Sequence, residues 1–181
     1  LLSTYQESSI FDYGDIHCIS FHATKLFHCV EGGALVFNNE DEYRLAQKLI
    51  NFGIEDNGDI ENAGINGKLS EIHAAMGLCV LDDLDDLVEE RKQLINLYKN
   101  LLGTNVKYQK DDLKCDVQPI YMPVEFNSEQ QAIKVEKRLN SSGYFPRRYF
   151  MPEHYKFLPA TQDDALNKCS SIANKILCLP L

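Results

Sequence analysis

Two periods of apolar and polar positions run along this chain, and the places where one gives way to the other mark its elements. DIHCISF (15–21) and GALVFNN (33–39) are short runs of β-favouring residues bounded by glycine and asparagine, the pattern of strands. Their apolar residues lie too close together for a strand with one wet face, so both are expected inside a sheet covered on two faces. EDEYRLAQKLINFG (40–53) carries the helical period, with Asn39 as its cap, acids in its first turn and Gly53 as its stop. IEDNGDIENAGINGK (54–68) is a long Gly/Asn/Asp loop, of a length usually kept for function or motion. Ser70 and Glu71 then open a helix of small residues, SEIHAAMGL, able to pack closely against a neighbour. From Leu81 the apolar positions fall at 81, 84, 87, 88, 94, 95, 98, 101 and 102, a long amphipathic helix ending at Gly103.

Beyond that helix the pattern becomes α+β. VQPIYMPV (117–124) reads as a strand, 128–143 as a helix capped by Ser128, and YFPRRYF (144–150) as an edge strand interrupted by Pro146. Residues 164–177 are mostly helical in pattern, and the polar segment 1–14 reads as loop. The change of texture places a domain boundary along the long helix, near residues 80–103.

Composition narrows the function classes. The 181 residues are 44% hydrophobic and 25% charged, enough for one large domain or one and a half smaller ones. A net charge of −9 argues against a general binder of nucleic acid or anionic membranes. No apolar run approaches the ~18–20 residues of a membrane span, and no signal-peptide pattern opens the chain. The first residue is Leu, so the start need not be a native one. Cysteines stand at 18, 29, 79, 115, 169 and 178 without a CxxC pair, and the histidines at 17, 22, 28, 73 and 154 complete no zinc spacing. No metal is expected. The apolar neighbours of Cys18, Cys79 and Cys178 favour buried free thiols and a reducing cytoplasm.

One residue stands out for its chemistry. In IHCISFHATKLFHCVEGG (16–33) a single lysine, Lys25, follows a strand-like run and is ringed by Ser20, His22, Thr24 and His28. A lysine closing a strand is ordinarily a guard against edge pairing. Here it lies between apolar runs, where a free ammonium is costly to desolvate. A lysine so placed can act as an amine nucleophile toward an aldehyde, which requires the neutral form and works against the ordinary value of about 10.4.

SFHATK followed by EGG, then GINGKLSEIHAAMGL, the helix LDDLDDLVEER, and finally RRYFMPEH and ILCLPL together resemble the DegT/DnrJ/StrS family of sugar aminotransferases. The likeness covers essentially the whole chain, weakest over 104–127. It implies an α/β fold, the C-terminal part of a fold-type I transferase that uses pyridoxal 5′-phosphate (PLP). Residues 1–80 would be the end of the large PLP-binding domain, 81–103 a connecting helix and 104–181 the small C-terminal α+β domain. Lys25 would be the Schiff-base lysine, which also moves the substrate proton. Ser20 would bind the cofactor phosphate, although as a residue it reads equally as a strand-end hydroxyl. Asn66 would reach the phosphate of a partner subunit's cofactor in a homodimer, or be a turn residue with positive φ between Gly64 and Gly67. Gly32 and Gly33 would allow a tight turn between adjacent strands. Tyr149 and His154 resemble substrate-side positions, with a core tyrosine and a surface histidine as the plain alternatives.

The carboxylate that faces the pyridine nitrogen, the group stacked on the ring and the helix that holds the phosphate lie before the lysine motif in the family. Asp12 and Asp15 do not match the pyridine-pairing position. The resemblance therefore implies a cytoplasmic enzyme that passes an amino group from glutamate to a nucleotide-linked keto sugar, read from its C-terminal half. A catalytically incomplete fragment acting as an assembly partner is the rival. A dehydrating relative would carry histidine where Lys25 stands.

Overall fold

Three polar side chains start three of the helices. In the computed structural model Asn39 Oδ1 accepts the N–H groups of Asp41 (2.8 Å) and Glu42 (3.2 Å). Ser70 Oγ accepts that of His73 (3.3 Å) and Ser128 Oγ that of Gln131 (3.2 Å). These contacts satisfy N–H groups that a helix end leaves without partners. They open α1 (Glu40–Leu49), α2 (Glu71–Asp82) and α4 (Glu129–Ser141). The long amphipathic stretch is broken at Asp83 and resumes as α3 (Leu84–Leu102), after which Gly103 leaves the helix at a φ of +51°. Gly53, expected to stop α1, instead lies beyond its end with its N–H on the Lys48 carbonyl (2.9 Å).

The described residues are 3–110, 113–150 and 164–181, and His154 lies outside them. They form two compact units, Leu1–Val88 with Asp112–Gln118, and Glu89–Asp111 with Pro119–Leu181. In the first unit β1 (Thr4–Tyr5) lies between β2 (Ser8–Ser9) and β6 (Cys115–Asp116), both antiparallel to it, where the sequence pattern suggested only loop. β3 (Ile16–Ser20) and β4 (Gly33–Phe37) form an antiparallel pair in register from Ile16↔Phe37 to Ser20↔Gly33. The expectation of a sheet covered on both faces does not hold here. Positions 16, 18 and 20 are exposed and only 17 and 19 are half-buried. Cys18 is accordingly exposed, and so is Cys79, because α2 buries only Gly77 and Val80.

The second unit is built on an antiparallel sheet in which β7 (Met122–Glu125) lies between β5 (Lys107–Tyr108) and β8 (Ile176–Leu179). Met122, Val124 and Phe126 alternate into one core with Val106, Ala132, Leu177 and Leu179, the two-residue period of a strand with one covered face. Ile95, Tyr98 and Leu102 of α3 and Val135 and Leu139 of α4 pack against that core. The strand expected from Val117 begins only at Met122, and Val117 is exposed. The expected edge strand at 144–150 is reduced to one bridge, Arg147↔Cys178, and α5 (Asp164–Ala173) ends before β8. Burial raises the Cys178 thiol above its ordinary value, which keeps it protonated and inert.

Leu177 is fully buried at the centre of this core. Leu177→Ala should cost about 2–5 kcal/mol, transfer and cavity together. The midpoint of urea unfolding, followed by the fluorescence of the tyrosines around the core, checks it.

Candidate active site

The lysine loop leaves β3 and returns to β4 without losing its backbone pairing. Phe21 N–H donates to the Gly32 carbonyl (2.8 Å), Ala23 N–H to Val30 (2.8 Å) and Cys29 N–H to Phe21 (3.0 Å). Phe21 and Phe27 meet edge to face at 4.8 Å, and Cys29 is buried beneath them. α2 seals this small core at Gly77, where a side chain would meet Cys29 and Phe27 at about van der Waals distance. Neither Gly32 nor Gly33 has a positive φ, so the tight-turn reading gives way to one of close approach. A Cβ on Gly33 would lie 2.7 Å from the Ile19 carbonyl oxygen, and one on Gly32 would lie 2.6 Å from Cys29 Sγ.

Lys25 sits half-buried at the bend of this loop, its N–H bonded to the His22 carbonyl (2.9 Å). Among the described residues no hydrogen bond or ion pair engages its Nζ. Ser20 stands exposed at the end of β3, its Oγ accepting the His22 N–H at 3.4 Å. The structure thus joins Ser20 and Lys25 through His22. An amine without a carboxylate partner, on the same short loop as a hydroxyl free to donate, is suited to attack a carbonyl while the hydroxyl meets an anion.

Asn66 belongs to a separate piece of the first unit. Its segment bridges Asn51↔Asn66, with Ile65 N–H on the Leu49 carbonyl (2.8 Å) and Gly67 N–H on Ile50 (2.9 Å). Asn66 is exposed and has no positive φ, which removes the turn reading. Among the described residues no hydrogen bond links it to Ser20 or Lys25. Lys68 Nζ lies 4.5 Å over the Phe52 ring and donates to Asn51 Oδ1 (3.1 Å), and Lys48 pairs with Glu55, so the loop is tied down at both ends. The Glu55 carboxylate raises Lys48 above its ordinary value.

In the second unit Tyr149 is half-buried, edge to face with Tyr121 at 5.3 Å, so it is not a core tyrosine. Arg91 donates to the Ile120 carbonyl at 3.5 Å, and burial lowers its guanidinium below the ordinary value, with Tyr121 opposing. Neither the Tyr121 contact nor the pairing of His22 with Glu31 (3.6 Å) could be read from spacing, because each depends on how distant backbone segments align.

A family model, the DegT/DnrJ/EryC1/StrS aminotransferase family, matches residues 1–181. The chain belongs to this family. It is 31% identical over 184 residues to the dTDP-4-amino-4,6-dideoxy-D-glucose transaminase of Shigella dysenteriae, covering 97% of this chain and 50% of that protein. Among solved structures it resembles DesI, crystallised in the presence of its TDP-sugar product (28% identity, TM-score 0.85, 99% of this chain and 47% of DesI). The fold is also that of Spr1654 from Streptococcus pneumoniae in its PLP form, at 23% identity and a TM-score of 0.85, over 100% of this chain and 50% of that one. The chain spans about half the length of these relatives. Its fold is the α/β fold of the fold-type I PLP-dependent transferases.

The segment before Asn66 crosses the end of α1 closely at Gly64, where a Cβ would fall 2.1 Å from the Gly53 nitrogen and 2.6 Å from the Leu49 carbonyl oxygen. Gly64→Ala should force these strands of backbone apart and release the Asn51↔Asn66 bridge. Hydrogen exchange at the Phe52 and Ile65 amides should quicken, while the core amides of β7 stay unchanged.

Proposed function

We propose that this chain is the C-terminal half of a PLP-dependent aminotransferase that passes an amino group, from glutamate, to a nucleotide-linked keto sugar. Residues 1–80 are read as the end of the large domain, 81–103 as the connecting helix and 104–181 as the small domain. The observation that carries the reading is the half-buried residue Lys25, whose Nζ has no hydrogen-bond or ion-pair partner among the described residues, on a backbone-pinned loop that also fixes Ser20. The named transaminase and the TDP-sugar complex among its relatives support the substrate class.

The residues fit the cofactor. PLP, when bound, supplies the electron sink that makes the substrate C–H acidic. Lys25 Nζ holds the cofactor between turnovers and is the base that carries the proton from substrate carbon and returns it. Ser20 Oγ has one long contact and keeps its own proton to donate to the phosphate. Asn66, exposed on its anchored loop, is read as serving the cofactor of a second subunit. Tyr149, with Tyr121 behind it, is read as a substrate contact. His154 keeps the same role from the sequence alone. The rival reading, an assembly partner without catalysis, has no use for a lysine whose Nζ makes no hydrogen bond or ion pair among the described residues. A cytoplasmic location goes with the nucleotide-sugar substrate.

The surface of α2 supports the partner. Its residues are mainly apolar on every side, yet Ile72 is 81% and Leu78 65% exposed. A helix of that kind is ordinarily buried. We read its cover as a second subunit.

Two measurements test the reading. Borohydride reduction of the holo-protein should leave a phosphopyridoxyl group on the peptide that contains Lys25, and Lys25→Ala should abolish both the adduct and amino transfer. An adduct on another lysine would remove Lys25 from the role. Sedimentation at micromolar concentration should show an oligomer that Ile72→Asp and Leu78→Asp together weaken. A cooperative 20.6 kDa monomer, indifferent to those changes, would exclude the second subunit.

A further inference from the structure

His22 has no part in the chemistry proposed above, yet all four of its polar atoms are engaged. Its N–H donates to Ser20 Oγ (3.4 Å) and its carbonyl accepts the Lys25 N–H (2.9 Å). Ring Nδ1 lies 3.2 Å from the Thr24 nitrogen and 2.9 Å from Thr24 Oγ1. A backbone N–H can only donate, so Nδ1 carries the lone pair and the ring proton sits on Nε2. Nε2 faces Glu31 Oε1 at 3.6 Å, on the returning arm of the loop. Both side chains are largely exposed, at 47% and 68%, so their attraction adds little to stability. What the pair sets is geometry.

We infer that His22 and Glu31 are positioning residues for Lys25. The Thr24 N–H sets the tautomer of the His22 ring, Glu31 draws its Nε2 side toward the returning arm, and Nδ1 holds the Thr24–Lys25 turn against the strand end that carries Ser20. Hydroxyl and amine are thereby presented to one ligand from a single locked arrangement, as a site needs when it must hold atoms within a fraction of an ångström. The inference rests on Lys25 and Ser20 being cofactor ligands, and it concerns two residues that take no part in the chemistry themselves. The carboxylate–imidazole–amide relay works by orientation, in the way a second layer of groups orients the ligands of a metal.

Asparagine at position 22 can place an amide oxygen where Nδ1 stands, whereas phenylalanine keeps the ring and offers no acceptor. Hydrogen exchange of the apoprotein reads the latch without the cofactor. His22→Phe should quicken exchange at the Thr24 amide by about fivefold, the worth of one hydrogen bond, and His22→Asn should restore it. Glu31→Ala should act in the same direction more weakly. In parallel, trapping of PLP on Lys25 with cyanoborohydride should slow in His22→Phe and recover in His22→Asn, measured against the other lysines of the same sample. Equal behaviour of the two His22 variants, or Lys25 trapping that ignores both, overturns the inference and leaves the cofactor assignment standing. If Thr24 exchange follows the Nδ1 acceptor while Lys25 is never trapped in any variant, the latch stands and the cofactor reading falls.

Discussion

The hydrogen bond from Phe21 N–H to the Gly32 carbonyl carries the β3–β4 ladder past its last paired residues, and the rest of the site depends on that extension. A loop that left the strands at Ser20 and Gly33 would swing freely, because closing a flexible segment costs entropy that few contacts could offset. Here the two arms stay paired as far as Ala23 and Val30. The short bend bearing Thr24 and Lys25 is then held by one backbone bond, Lys25 N–H to the His22 carbonyl, and by the His22 ring on the Thr24 N–H. The requirement explains the two glycines after Glu31. Each removes a side chain where a backbone carbonyl or a buried thiol already occupies the space. At Gly77 α2 comes close enough that even a methyl would be in van der Waals contact with Cys29 and Phe27, so a bulkier side chain has no room there.

The local signals of the sequence were the most readable ones. Asn39, Ser70 and Ser128 cap their helices because a cap bonds to an amide two or three residues away, and nothing distant intervenes. The lysine motif was legible for the same reason: Ser20, His22, Thr24 and Lys25 interlock within a few residues. What depended on distant partners was not legible. The pairing of Thr4–Tyr5 with Cys115–Asp116 joins segments with no shared pattern, each too short to carry a period. Val117 has the composition of a strand but pairs with no strand among the described residues, and the ladder of this stretch starts only where Met122 meets Leu179. Asn66 shows the limit from the other side. Flanking glycines are the usual sign of a left-handed turn, yet these ones serve a crossing of two backbones and leave Asn66 extended.

The two units differ in how they keep their shape. The second has a continuous core in which β7, β8, α3 and α4 each contribute side chains, and its central residues are fully buried. The first buries little besides Leu26, Cys29, Val80 and Leu84, while Ile16, Leu35, Ile60, Ile65 and Ile72 lie open. Scattered exposed apolar residues are ordinary on any protein, but a helix apolar all round is not. The unit that holds Lys25 is therefore the one whose own burial supports it least.

That imbalance bears on how such a site can be rigid at all. Backbone pairing and the His22 contacts fix the lysine loop relative to β3 and β4, and they do so within a few residues. They cannot fix β3 and β4 relative to anything else, because exposed faces at positions 16, 18 and 20 give the pair no packing on that side. Local hydrogen bonds set angles; apolar burial sets where a whole element stands. A site on this hairpin is thus precise internally and becomes precise in the molecule only when further apolar surface closes over β3 and α2. A change that shifts α2 would reach the bend that bears Lys25 through the contact of Gly77 with Cys29.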